Sequence, residues 1–310
     1  MATEAAQTNG KLVTGDAPLR RGYKSCKSAC RAAFGDFGFA VSNLPQQQRH
    51  GLYALGNFLV ECIDLLDLES VSGLSLDVWQ EIHDDLDDTL AGHPAAPTQA
   101  ALLDTVTRFD IPKEHLFEML AAADWWIRNR GCQTFDQTAV FAARFGGSMM
   151  AACTSVLGVT RPGHEAAAIQ CGQAIHLTQM LAHLVSDLKE QKFYLAREDY
   201  TDCRVDTARI KMRQGSSELR HFIRQYTARI EKLFLEGGQL TAHLDFGGVR
   251  TVSSLLDYHW KMFSKIRTQP QVILEPHGVM TRQDKFKLRT RHVLGLEGKA
   301  PVIAHGGEHH

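Results

Sequence analysis

Gly172-Gln173-Ala174-Ile175-His176-Leu177-Thr178-Gln179-Met180-Leu181-Ala182-His183-Leu184-Val185-Ser186-Asp187, followed by Lys192-Phe193-Tyr194-Leu195, decides the reading of this chain. Its apolar residues recur at helical spacing inside a longer apolar stretch, residues 164–190. On such a helix, side chains four apart share a face, so His183 and Asp187 stand together. His176 falls on about the same face, nearly two turns earlier, and reads as a satisfied core histidine. Imidazole beside carboxylate suits a transition metal better than Mg²⁺. A hydrogen-bonded pair that stiffens the helix is the other reading of His183 and Asp187.

A second stretch has the same character. Arg49-His50-Gly51-Leu52-Tyr53-Ala54-Leu55-Gly56-Asn57-Phe58 runs on to Ile63-Asp64-Leu65-Leu66-Asp67 after the break at Pro45. Its periodicity predicts one helix over 48–68, with Asp64 and Asp67 on an otherwise apolar element. A buried acid is expensive unless paired or metal-bound. Function is therefore the reading for Asp67, whereas Asp64 suits a solvated edge equally well.

The rest of the chain is also helical in pattern. Helices are predicted over 77–91, 98–109, 113–130, 134–157, 206–235 and 249–267. Gly158 suits a helix C-cap, and Arg161-Pro162-Gly163 a turn. No alternating strands, repeats or linkers stand out. The fold expected is all-α, a single-domain helical bundle. Residues 1–18 are polar and predicted disordered, 19–292 form the domain, and 293–310 a loose tail.

Composition narrows the function. The chain has 310 residues, 44% of them hydrophobic, enough for a large core. A formal net charge of −1 gives no global case for nucleic-acid binding. The seven cysteines are scattered and read as buried small hydrophobes in a reducing compartment, so a cytoplasmic location is expected. No uninterrupted apolar run approaches the ~20 residues of a membrane span. The basic segment Arg282, Lys285, Lys287, Arg289 and Arg291 leaves two readings, a helix packed on the bundle or a peripheral membrane contact. His83-Asp84-Asp85-Leu86-Asp87-Asp88 contains a D-D-x-x-D string, but it sits opposite Trp79 and Leu86 and reads as a solvated face.

Taken in order, these blocks resemble the squalene/phytoene synthase family. Phe37 to Pro45, with Arg49 beyond it, is similar to the family's early segment. Thr134-Phe135-Asp136, Phe145-Gly146-Gly147-Ser148 and Val156-Leu157-Gly158 resemble its middle block. Gln191 to Leu195 with Glu198-Asp199 resembles its G-R-x-Y-L-P-x-E-D block. The resemblance spans about residues 22–290. It implies an isoprenoid-synthase-type bundle with a central cavity and two facing D-x-x-x-D helices holding Mg²⁺. Trp125-Trp126 and Met149-Met150 read as core, with the lining of an apolar tunnel for an isoprenoid tail as the alternative.

Here the first Asp of each pair is replaced, by Ile63 and by His183. Val60 and Ala182 stand where the family has arginines, and Gly56, His176 and Gln179 depart as well. The resemblance implies metal ligation by Asp64, Asp67, His183 and Asp187. The metal is Mg²⁺, or another divalent ion where His183 is a ligand. It implies catalytic roles for Asp67, Asp187 and Tyr194, and diphosphate binding by Arg49 and Lys192. The leading expectation is a prenyltransferase or terpenoid synthase acting on farnesyl- or geranylgeranyl-type diphosphates. The same lineage with altered chemistry, such as water capture or cyclisation, is a second. A non-catalytic descendant binding an isoprenoid lipid or a protein partner is the alternative to both.

Overall fold

Apolar periodicity becomes helix almost throughout. The structure, a computed structural model, describes residues 16–35, 37–68 and 75–293. In chain order the helices are α1 (Asp16–Phe34), α2 (Phe37–Ala40), α3 (Gln46–Leu68), α4 (Ser75–Leu90), α5 (Pro97–Arg108), α6 (Glu114–Asn129) and α7 (Phe135–Ala142). They continue as α8 (Ser148–Leu157), α9 (His164–Lys189), α10 (Arg197–Asp202), α11 (Thr207–Lys211), α12 (Ser217–Gly237), α13 (Phe246–Thr268) and α14 (Arg282–Val293). Among the described residues, β pairing is limited to one isolated bridge, Val159 with Leu244.

α9 is the axis of the bundle, packed by α12, α8, α13 and α7. Cys171, Ala174, Leu177, Leu181 and Leu188 on it are fully buried. Each buried Leu is worth about 1.5–3 kcal/mol of removed apolar surface, which fixes this helix at the centre. Gly146 and Gly147 form part of a π-helical turn, Ala143–Gly147, between α7 and α8. That turn lies against α9 so closely that a Cβ at Gly172 would stand 2.1 Å from the Gly146 carbonyl oxygen. Small residues on both sides are what allow the crossing.

The blocks at Thr134 and at Tyr194 are joined in space. Thr134 caps α7, accepting from the Gln137 amide. Cys132 N–H donates to the Phe193 carbonyl, Arg197 N–H to Cys132 and Glu198 N–H to Gln133. Glu198 then accepts the Phe135 amide, and buried Asp199 is bound by Arg229.

Several boundaries differ from expectation. Residues 16–18, expected in the disordered leader, are already the first turn of α1. The single helix expected over 206–235 is broken between α11 and α12, because Ser216 starts a new helix by capping Leu219. α10 had no apolar stripe to reveal it. Phe135–Leu157 is long and apolar enough to cross a membrane by length and composition, but most of its apolar 18-residue window is buried within the bundle. α14 packs on α13 and α2, anchored by buried His292, which meets Asn43 and Ser254. All seven cysteines are buried free thiols. Val293, expected in the loose tail, is the last residue of α14; the remainder of the expected loose segments, residues 1–15 and 294–310, lies outside the described residues.

Candidate functional site

Two helices distant in sequence converge on one lysine. Asp67 lies at the C-terminal end of α3, and Lys192 two residues past the α9 cap. Lys192 Nζ donates to Asp67 Oδ1 at 2.6 Å and to Glu190 Oε2 at 2.7 Å. Lys192 is only 5% exposed, whereas both acceptors are open to solvent. It is no surface lysine.

The end of α9 explains this placement. Gln191 takes a left-handed conformation, φ 62°. Its N–H donates to Leu188, and the Lys192 N–H reaches back to the Asp187 carbonyl at 2.8 Å. This is the doubly bonded helix ending usually built on glycine. It folds Lys192 back over Asp187 and turns the chain toward Tyr194.

Electrostatics follow from burial. Burial pushes Asp187 up to about 8, and the charges of Glu190 and Asp67 add to the rise while Lys192 opposes it. Burial works against the Lys192 charge, but the hydrogen bonds to Asp67 and Glu190 outweigh it and hold the amine above the usual lysine range. His183 is exposed at its surface, but desolvation by the surrounding protein pushes its pKa down. Partial burial, helped by the Asp67 charge, raises exposed Asp64.

Behind this rim the interior is a column of rings. Tyr194 stacks on Trp126 with centroids 4.7 Å apart and continues to Phe141 at 6.1 Å. Phe141 and Phe145 both border His176. His176 is not the satisfied core histidine expected: its buried Nε2 has no partner, and burial pushes it down to about 4. A cleft of about 260 Å³ reaches the column from outside, lined by Trp125, Val140, Phe141 and Arg144 among others. On α13, His259 donates from Nδ1 to the Leu255 carbonyl and accepts Gln179 on Nε2.

Of the expected site residues, the structure brings together Asp67, Asp187, Lys192 and Tyr194. Arg49 is not among them. It lies 18 residues from Asp67 on the same helix, about 27 Å along the axis, and donates to the Ser42 carbonyl. Among the described residues no hydrogen bond joins His183 to Asp187. Glu190, missed in the sequence, is revealed only by the helix ending that swings Lys192 beside it. Asp84, Asp85, Asp87 and Asp88 are exposed, as expected.

The family model for squalene/phytoene synthase matches residues 31–281.

The chain belongs to the squalene/phytoene synthase family.

It is similar to a phytoene synthase of Mycobacterium tuberculosis, 24% identical over 265 residues, 83% of this chain and 85% of that one. Among solved structures it resembles a dehydrosqualene synthase in complex with ligand, with TM-score 0.79 and 20% identity over 90% of this chain and 97% of that one. It also resembles the squalene synthase HpnC of Alicyclobacillus acidocaldarius, with TM-score 0.73 and 18% identity over 82% of this chain and 96% of that one. The squalene/phytoene synthase fold is thus shared across almost its whole length.

The magnesium that this family's acidic helices imply does not fit the side chains as they stand. Among the described residues no three Asp, Glu, His or Cys side chains gather closely enough to hold an ion. Mg²⁺ needs several hard oxygens at about 2.0–2.1 Å. Here Asp67 is committed to an ammonium group, and Ile63 supplies no oxygen at all.

Proposed function

We propose that this family member is an enzyme of prenyl diphosphate chemistry. Its substrates are of the farnesyl or geranylgeranyl class, and its reaction is a condensation or a related terpenoid conversion. One observation carries the reading: Asp67 from α3, and Asp187 and Lys192 from the end of α9, meet at the rim of the ring column behind Tyr194.

Each part has a task in that chemistry. An ammonium group has three donors, and two are engaged here, which leaves one N–H of Lys192 for a phosphate oxygen. Leaving of diphosphate from an allylic carbon creates a carbocation. Ring faces attract cations by about 0.5–2 kcal/mol each, so Tyr194, Trp126 and Phe141 suit the developing charge. Apolar walls around Trp125 and Val140 suit an isoprenoid tail.

A second reading is favoured by the commitment of Asp67 to Lys192 and the poor fit for magnesium: a descendant that holds an isoprenoid without turning it over. Incubation with labelled farnesyl and geranylgeranyl diphosphates, with Mg²⁺, with Mn²⁺ and with chelator, separates the two. Diphosphate release that is reduced by Lys192→Ala and Trp126→Ala supports the enzyme. Binding without release supports the second reading, and neither binding nor release refutes both.

A further inference from the structure

Lys192 is a buried cation held by two carboxylates. Its side chain is 5% exposed and clamped by two carboxylates of different origin, Asp67 from α3 and Glu190 from the α9 cap. Both acceptor groups are 56% exposed, so the cation is the buried partner and the anions face water. The helix ending at Gln191 dictates the position, since the Lys192 amide is bound to the Asp187 carbonyl. Asp187 lies near enough for its carboxyl to feel the charges of Asp67, Glu190 and Lys192.

We infer that the Lys192 ammonium is the resident cation of this site, occupying the point between α3 and α9 where a divalent ion would otherwise sit and excluding that ion from the free protein. The inference concerns the site of the proposed reaction but stands on its geometry alone, not on the substrate.

The geometry supports competition rather than coexistence. Asp67 and Glu190 each place an oxygen within 2.7 Å of one nitrogen. An ion taking both oxygens would have to stand where that nitrogen is. A divalent charge beside the buried ammonium would be repelled at short range, and moving the ammonium aside would leave it buried without partners. With the amine removed, the oxygens need close by only about half an ångström to reach hard-cation distances. Asp67 and Glu190 then offer two carboxylates, and water completes the shell. Ile63 does not interfere, because a neutral apolar side chain neither holds nor repels an ion.

The test titrates Mn²⁺ alone against the intact protein, by paramagnetic resonance and calorimetry. Wild type is expected to show no specific site tighter than about millimolar, on the weak end of protein sites for hard cations. Lys192→Ala and Lys192→Gln are both expected to gain a single site at least tenfold tighter. The gain should vanish when Asp67→Asn is added, and Lys192→Arg should keep the ion out. Circular dichroism identifies any variant that has lost its fold, and the glutamine variant, of similar length, guards against collapse at the site. Specific Mn²⁺ binding by wild type that Asp67→Asn abolishes would overturn the inference. So would folded Ala and Gln variants that gain nothing. No prenyl compound enters this assay, so failure of the substrate reading and failure of the resident-cation reading are separate results.

Discussion

His259 gives a pH dependence that can be worked through. It is 8% exposed and neutral in the folded chain, with Nδ1–H on the Leu255 carbonyl and Nε2 accepting from Gln179. Protonating Nε2 would turn an acceptor into a second donor facing an amide N–H. Burial pushes its pKa from the usual 6.5 down to about 4, although the Leu255 carbonyl favours the charged form. The sign follows. Between those values the unfolded chain takes up a proton that the folded chain refuses, so stability is fully present above about pH 6.5 and falls as pH drops toward 4. The loss amounts to about 3 kcal/mol for His259. His259→Gln lacks this titration. At neutral pH the variant should be less stable by about 1 kcal/mol for a disturbed hydrogen bond. Below about pH 5 the order should reverse. Urea unfolding followed by circular dichroism, at steps from about pH 7.5 to 4, reads the difference between the two proteins, in which carboxylates and His176 cancel. A difference that stays constant across that range would refute the argument.

Gly172→Ala should be severely destabilising, by about 3 kcal/mol or more, because its methyl would meet the Gly146 carbonyl at 2.1 Å; thermal unfolding reads it. Gln191→Gly should stabilise by about 0.5–1 kcal/mol while keeping Lys192 in place, since φ of 62° suits glycine; denaturant midpoints check it, and a loss of stability would contradict the helix-ending account. Converting Asp84, Asp85, Asp87 and Asp88 to Asn should change stability by no more than about 0.5 kcal/mol per site and leave metal titrations unaltered, because all four are exposed.

The sequence by itself determined the helices. Periodicity located α3, α4, α5, α6, α9 and α13 to within a few residues, because an apolar stripe is a local property of spacing. It also determined the family, since ordered blocks such as Thr134-Phe135-Asp136 and Lys192-Phe193-Tyr194-Leu195 survive where their motifs have changed. The solvated reading of the acidic string on α4 followed from the opposite face of the same helix.

The family resemblance named Asp67, Asp187, Lys192 and Tyr194 as site residues, but tertiary structure decided how they meet. Asp67 and Lys192 are separated by 125 residues, and no spacing rule reports that their side chains meet. Burial of the lysine, rather than of its acids, depends on the backward turn at Gln191 and on what packs around it. The unpartnered Nε2 of His176 and the ring column from Trp126 to Phe141 are likewise products of packing. Arg49 shows the converse. The family resemblance assigned it to diphosphate, but helical rise put it at the far end of α3 from Asp67. Local periodicity fixes which residues share a face; which faces share a site is set by long-range packing, and charge and protonation follow from that.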